Sequence, residues 1–178
     1  MSNLMQDNEY NDKVHKLESG LDELNKLYEL FSIINSSSGL SSFCEKFVSY
    51  IKKCLSIYNV SVFVQEDSKF RLFASSNSLS PLLFSFENKG EGIWNLIEGN
   101  KPFYVQDENN RNIFNDFFDS NRLNELQSTV WLPLQHENQI IGIVSLSKKE
   151  NNESFTEAEF LFLEKIAKEA SSVIYRYN

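Results

Sequence analysis

The 178-residue sequence predicts an α+β domain in which an antiparallel sheet is flanked by helices near both ends of the chain. Apolar residues recur at helical spacing near both termini, and alternating apolar and polar residues fill the middle. Short polar turns join consecutive strand-like segments, which makes those neighbours antiparallel. The length fits one domain with a helical extension. We therefore expect residues 1–38 to form an N-terminal dimerisation helix and residues 39–178 to form the domain.

The first predicted helix, over residues 10–34, carries a regular apolar stripe. Its residues follow one another at alternating gaps of four and three: Tyr10, Val14, Leu17, Leu21, Leu24, Tyr28 and Phe31. A period of about 3.5 residues keeps such a stripe facing a partner helix, as in a coiled coil. The alternative is an amphipathic helix that lies on its own domain.

A second helix is predicted from Leu40 to Leu55, after the helix-breaking residues 35–39. Its apolar face carries both cysteines of the chain, Cys44 and Cys54. Ten residues of helix separate them by about 15 Å, so they cannot form a disulfide with each other. We expect both to be buried structural thiols, because free cysteine behaves as a small hydrophobic residue.

The middle of the chain is predicted to form the sheet. Strand-like patterns cover residues 60–65, 70–74, 82–86, 102–106, 128–135 and 139–147. Short helices are predicted within residues 90–99 and 107–127. His136, Glu137 and Asn138 are expected to form the turn of the last hairpin.

The last helix, over residues 156–177, begins at a capping box made by Thr156 and Glu159. It has two apolar stripes, so that one can cover the sheet while the other meets a helix. Because both terminal helices carry a stripe with heptad spacing, we expect a homodimer formed through helices 10–34 and 156–177.

Charge and composition exclude several classes of protein. Seventeen Lys plus Arg oppose twenty-five Asp plus Glu, giving a net charge of −8 that disfavours nucleic acid and anionic membranes as partners. The polar N-terminus is unlike a signal peptide, and every apolar run is too short for membrane insertion. With two Cys and two His, no metal site is predicted. A cytoplasmic location is expected, and the sequence leaves the identity of any cofactor unknown.

Several segments together resemble a GAF domain, a sensory module found beside kinases, cyclases and phosphodiesterases. They are Gly90-Glu-Gly-Ile-Trp94, Gly99-Asn-Lys-Pro-Phe-Tyr-Val105, Ser128-Thr-Val-Trp-Leu-Pro-Leu134, Ile140-Ile-Gly-Ile-Val-Ser-Leu146 and Phe155-Thr-Glu-Ala-Glu159. The resemblance implies a GAF-like, PAS-related fold: a six-stranded antiparallel sheet with the N- and C-terminal helices packed on one face and a ligand pocket on the other.

No catalytic motif is recognised in the sequence, which leaves Ser, Cys and His arrangements formed only in the fold as an open alternative. There is no Gly-x-Ser-x-Gly elbow and no phosphate-binding loop with its lysine. GAF domains that reduce methionine sulfoxide or attach bilins use pocket cysteines, and neither Cys44 nor Cys54 falls in the pocket region. His15 is expected to be a solvated surface residue, and His136 a polar loop residue.

Strand alternation places the central candidate of the pocket, and further aromatic and polar residues could complete it. Val130, Leu132 and Leu134 should face the helices, which turns Trp131 toward the opposite side of the sheet. There an aromatic wall with a polar N–H suits a small planar or apolar ligand. The complete candidate set is Phe63, Trp94, Asp107, Phe114, Phe118, Thr129, Trp131 and Ser145.

The sequence therefore predicts a non-enzymatic, cytoplasmic sensory or regulatory domain that binds a small molecule and signals through its flanking helices to a separate output protein. One alternative is a ligand-free dimerisation or adaptor module, because aromatic residues between a sheet and short helices also form plain cores. A small-molecule redox enzyme is a second alternative.

Overall fold

The structure of the protein is a computed structural model that describes residues 2–67, 69–77, 79, 85–87, 99–105 and 125–177. The chain divides into two compact units, Met1–Ser36 and Ser37–Asn178.

The first unit is one long helix, α1 (Ser2–Ser36). This helix is longer than the predicted one over residues 10–34. The prediction began at Tyr10 because the apolar stripe starts there, whereas the helical backbone also includes residues outside the stripe. Six stripe residues have exposed side chains: Tyr10, Leu17, Leu21, Leu24, Tyr28 and Phe31. Polar pairs one turn apart support the helix, among them Lys26 with Asp22 at 2.6 Å.

The second unit contains two further described helices and six strands. The helices are α2 (Leu40–Leu55) and α3 (Glu157–Tyr177). The strands are β1 (Val60–Glu66), β2 (Lys69–Ser75), β3 (Ser85–Glu87), β4 (Phe103–Tyr104), β5 (Val130–His136) and β6 (Gln139–Leu146). The predicted second helix is confirmed with both of its ends.

The strands form one six-stranded sheet in the order β3-β2-β1-β6-β5-β4, and each neighbouring pair is antiparallel. The two central strands, β1 and β6, are therefore the first and the last strands along the chain. This confirms the α+β class and the six-stranded antiparallel sheet. The predicted hairpins β1–β2 and β5–β6 are both present.

Helices α2 and α3 bury their apolar faces. On α2, Phe43 and Phe47 are fully buried and stack with ring centroids 5.3 Å apart. Tyr50 of α2 contacts Phe162 of α3, with ring centroids 6.3 Å apart. This contact confirms that one stripe of α3 meets a helix, while the neighbouring stripe with Leu163 is buried as well.

The capping box at the start of α3 is also confirmed. The Thr156 amide donates to a carboxylate oxygen of Glu159 at 2.8 Å, and the Glu159 amide donates back to the Thr156 hydroxyl at 3.2 Å. These two bonds give acceptors to backbone amides at the start of the helix, where no intrahelical acceptor exists. The sequence signal and the observed start of the helix agree.

The β5–β6 hairpin differs slightly from its prediction. Its turn has only two residues, Glu137 and Asn138, whose φ angles of 47° and 63° match the right-handed twist of a hairpin. His136 therefore belongs to β5 instead of the turn, and it pairs with Gln139. Its ring stacks on Tyr175 of α3 at a centroid distance of 4.1 Å. The expectation of a simple loop histidine was wrong.

Other predicted elements are shorter or lie outside the described residues. The strand expected over 102–106 is reduced to β4, and the one over 82–86 is described only as β3. The helices expected within 90–99 and 107–127 fall almost entirely outside the described residues, although 125–126 are helical. Within the described part of the chain, no helix is long and apolar enough to cross a membrane.

Candidate functional site

One face of the sheet carries an apolar cluster that includes Trp131. The ring of Trp131 is 0% exposed, and it is grouped with Phe63 of β1 and Ile143 of β6. The other buried members are Phe70, Leu72, Val105 and Leu126. Because this cluster contains no residue of α2 or α3 among the described residues, we assign it to the face that these helices do not cover.

A row of cross-strand partners runs beside this cluster. Ser61 pairs with Ser75 on one side and with Ser145 on the other. Ser145 in turn pairs with Trp131, which pairs with Phe103 at the edge of the sheet. Since directly paired residues project to the same face, three serine side chains and two aromatic rings line up across five strands.

The serine hydroxyls form two small hydrogen-bonded groups. The indole N–H of Trp131 donates to Ser128 Oγ at 3.2 Å, and Ser128 shares a hydrogen bond with Ser145. On the other side of the row, Ser61 and Ser75 share a hydrogen bond of 2.8 Å, and Ser75 donates to Asn77 Oδ1. The described residues contain no buried side-chain nitrogen or oxygen without a partner. The indole N–H of Trp131 is therefore hydrogen-bonded within the chain.

The structure brings some of the predicted site residues together. Phe63 and Trp131 share the apolar cluster, and Ser145 lies next to Trp131 in the row. Thr129 is half-buried beside them, and its backbone joins two strands: its amide donates to Leu146 O at 2.8 Å, and its carbonyl accepts from Val105 at 3.0 Å. The remaining candidates lie outside the described residues: Trp94, Asp107, Phe114 and Phe118.

Sequence reasoning missed Ser61, Ser75 and Ser128. Ser61 is 2% exposed, yet it occupies an alternate position of a strand that is otherwise apolar along its buried length. A small polar residue at such a position, repeated as Ser145 in the neighbouring central strand, was the available signal. Ser128 had no such signal, because it precedes β5 and reaches Trp131 only through the local turn.

Asn100, in the turn before β4, connects three elements. Its side-chain oxygen accepts a hydrogen bond from the Gln135 amide of β5 at 2.6 Å and one from the Ser171 hydroxyl of α3 at 3.3 Å. Asn100 follows Gly99, whose φ of 64° permits the tight turn. The turn before β4 is thereby tied to both the sheet and the C-terminal helix.

The cysteines lie away from this face, on α2. Burial raises the pKa of the Cys44 thiol to about 12, with a further contribution from Glu45, so it stays protonated at neutral pH. Cys54 is half-buried, so the expectation of two buried thiols is correct only for Cys44. A thiol of such high pKa is a poor nucleophile. Among the described residues, no three His, Cys, Asp or Glu side chains are grouped closely enough to hold a metal ion.

Solved structures similar to this one are GAF domains and chromophore-binding domains. The GAF domain of a phosphoenolpyruvate-protein phosphotransferase from Coxiella burnetii aligns with a TM-score of 0.67 and 18% identity, covering 88% of this chain and 94% of that one. The corresponding domain from Acinetobacter gives 0.65 and 18%, covering 86% and 92%. The chromophore-binding domain of a Stigmatella aurantiaca bacteriophytochrome gives 0.63 and 9%, covering 87% and 60%.

No protein-family model and no curated protein matches the sequence. The structural agreement over most of the chain nevertheless establishes that the protein has the GAF-domain fold.

Proposed function

We propose that this protein is a non-enzymatic, cytoplasmic sensory or regulatory domain that binds a small molecule on the Trp131 face of its sheet. The observation that carries the proposal is the cross-strand row in which buried serines lie beside Trp131 and Phe63, on the face away from α2 and α3. Apolar and aromatic walls with a few placed polar groups are typical of small-molecule sites. The similar bacteriophytochrome domain is a chromophore-binding one, which supports small-molecule binding as a role that this fold can perform.

The ligand that suits these residues is small, planar or apolar, with a hydrogen-bonding edge. Trp131 and Phe63 offer ring surfaces, and Ser145 and Thr129 offer hydroxyl groups that can exchange partners. The proposal also includes Trp94, Asp107, Phe114 and Phe118 as contacts from the segments that follow β3 and β4. No metal or covalent attachment is part of it.

Signalling in this proposal works by a shift between conformations. A ligand that binds one arrangement of the domain more tightly than another shifts the population toward it. Asn100 supplies a physical connection from the turn before β4 to α3, through Ser171. The signal would pass to a separate output protein.

A ligand-free dimerisation or adaptor module is the second candidate, and one observation favours it. The Trp131 indole and the serine hydroxyls satisfy one another within the chain, as a packed interior requires. In that case the serine row would serve only to fix the register of the central strands.

Thermal unfolding with a panel of nucleotides, amino acids and tetrapyrroles separates the two candidates. A ligand at about 100 times its dissociation constant stabilises the folded state by about 2.7 kcal/mol, which is a shift of several degrees for a domain of this size. We expect Ser145→Ala to reduce the shift. Ser172→Ala is the matched control, because that hydroxyl only donates to Lys168 O within α3. If no compound shifts the transition, the adaptor module replaces the sensor as the proposed function.

We further propose that the protein is a homodimer in which α1 makes the main contact. Leu17 and Tyr28 of the α1 stripe are 74% and 76% exposed in the single chain, whereas the α3 stripe with Leu163 and Ile174 is buried within it. Residues 156–177 therefore have less apolar surface left to offer a partner than residues 10–34.

Leu24→Lys tests the homodimer, because a charge in a buried stripe opposes association. Light scattering should give twice the chain mass for the native protein and a lower mass for the variant. Ser19→Lys, on the opposite side of α1, should leave the mass unchanged. A native protein of single-chain mass would end the dimer proposal.

A further inference from the structure

The apolar stripe of α1 can be divided into heptad positions. With Val14, Leu21 and Tyr28 at a and Tyr10, Leu17, Leu24 and Phe31 at d, the stripe runs over three heptads. The residues that flank it are then fixed: Asn11, Glu18, Asn25 and Ser32 occupy e, and Lys13, Gly20, Leu27 and Ile34 occupy g.

Only two of these flanking residues carry a charge, Lys13 at g and Glu18 at e. In a parallel, in-register pair, a g residue faces the e residue five positions later on the partner. Lys13 of each protomer would therefore face Glu18 of the other, and the twofold symmetry gives two such pairs in one dimer.

An antiparallel pair places g opposite g and e opposite e. Lys13 would then face only Gly20, Leu27, Ile34 or another Lys13, and Glu18 would face neutral side chains or another Glu18. No arrangement of that kind brings opposite charges together. The flanking charges consequently distinguish the two orientations, even though the apolar stripe alone does not.

We infer that the occupant of the exposed α1 stripe is the α1 helix of a second copy of this chain, arranged parallel and in register, with Lys13 of each helix paired with Glu18 of the other. This inference rests on the proposed homodimer and adds its orientation. Both helices then have their N-termini at the same end of the coiled coil. Within its own helix, Glu18 lies 3.9 Å from His15. His15 is at position b, on the side of the helix away from the stripe, so this contact does not block an approach of Lys13 from the partner helix.

Site-specific crosslinking tests the orientation. In a Cys44→Ala, Cys54→Ser background, Leu17→Cys places a thiol at a d position, where in-register parallel helices bring the two copies side by side. A mild oxidant should then convert most of the protein to a disulfide-linked dimer, seen on a non-reducing gel. Ser19→Cys, at the outer f position, is the matched control and should crosslink far less.

An antiparallel dimer would give the opposite crosslinking pattern. It pairs a with d, so the Leu17→Cys protein would crosslink with an a-position variant, Val14→Cys or Leu21→Cys, in preference to itself. Efficient self-crosslinking at Leu17→Cys supports the inference, and preferential a-to-d crosslinking overturns it.

Charge reversal tests the Lys13–Glu18 pairing. Lys13→Glu or Glu18→Lys alone should raise the dimer dissociation constant about tenfold at low ionic strength, because two attractive pairs become repulsive. Mixing the two variants restores both attractions in the heterodimer, and so does the double variant Lys13→Glu/Glu18→Lys in its homodimer. Asp12→Lys, at f, changes the net charge as Glu18→Lys does and should leave the constant unchanged.

The mass of the native protein distinguishes a failure of the proposed homodimer from a failure of its parallel orientation. If it is monomeric, the proposed homodimer fails and the orientation fails with it. If it is dimeric but the single charge reversals have no effect, or the mixed variants are not rescued, the homodimer stands and only this inference is overturned. Rescue in the mixture together with self-crosslinking at Leu17→Cys supports both.

Discussion

At the scale of single residues, the most informative ion pair outside the candidate site joins Lys149 to Glu159 at the start of α3. The ammonium lies 2.8 Å from Glu159 Oε1, and Lys149 is only 8% exposed. Glu159 also accepts from the amide and the hydroxyl of Thr156, at 2.8 and 3.1 Å. One carboxylate thus connects the segment after β6 to the first turn of α3.

Lys149→Met should destabilise the fold by about 1–3 kcal/mol, because the substitution removes one partner of a largely buried charge pair and leaves Glu159 with only its Thr156 bonds. Urea unfolding at neutral pH measures the loss. Lys148→Met is the matched control: that ammonium is exposed and bonded to Asn152, so its loss should cost less than about 0.5 kcal/mol. Equal losses for the two variants would contradict a special role for Lys149.

The same pair predicts how stability depends on pH. Burial alone would raise the pKa of Glu159, but the hydrogen bonds from Lys149 and Thr156 outweigh it and hold the pKa below its ordinary value. A carboxyl group whose pKa is lower in the folded state stabilises the fold above its unfolded pKa, and this contribution is lost as the pH falls through the folded value. Glu159→Gln should therefore flatten the acid limb of the stability profile below about pH 5 and leave the profile above it parallel to that of the native protein.

At the scale of the elements, Asn100 fixes the turn before β4 against β5 and α3. Asn100→Ala should cost about 1–2 kcal/mol of unfolding free energy, since the Gln135 amide loses its acceptor, while Ser171 keeps its bond to Ala167 O. Asn100→Asp retains an acceptor oxygen and should recover most of the loss. Chemical unfolding of the three proteins decides the matter, and an alanine variant as stable as the native protein would show that the turn is held by other contacts.

How far the elements could be predicted depended on whether their signals were local. Some signals involve only residues that are close together in the chain, such as the capping box of Thr156 and Glu159 and the helical periodicity of α2. Both ends of α2 and the start of α3 were therefore predicted from the sequence. The stacking of His136 on Tyr175 and the two bonds to Asn100 join residues far apart in the chain. No local pattern encodes such contacts.

The candidate site shows the same division. Strand alternation predicted that Trp131 lies on the face opposite Leu132, because the two-residue period fixes which side chains share a side of the sheet. Phe63, named as a further candidate, lies in the same cluster. Strand alternation could not predict that the indole N–H would donate to Ser128, since that bond depends on how the chain turns into β5. The indole N–H, which was expected to bind a ligand, is consequently hydrogen-bonded to Ser128, and a ligand would have to compete with Ser128 for this donor.

At the scale of the whole molecule, the two compact units differ in what can stabilise them. Among the described residues, the unit of residues 37–178 has a buried sheet and two packed helices, whereas residues 1–36 form one helix that leaves six of its seven stripe residues exposed. A helix in water gains most of its stability from packing of its apolar residues. Association of two α1 helices would supply that packing, so the stability of α1 becomes dependent on protein concentration.

Two spectroscopic probes should therefore report unfolding transitions at different temperatures. Both tryptophans, Trp94 and Trp131, belong to the unit of residues 37–178, so their fluorescence reports on that unit, while the far-ultraviolet circular dichroism signal also includes the 35-residue helix α1. We expect part of the helical signal to be lost first, at a midpoint that rises with protein concentration, and the fluorescence transition to follow at a midpoint that changes much less. Leu24→Lys should abolish the concentration dependence of the first phase, and Ser19→Lys should preserve it. Coincident transitions for the two probes at every concentration would instead mean that the chain unfolds as one cooperative unit, with α1 stabilised without a partner.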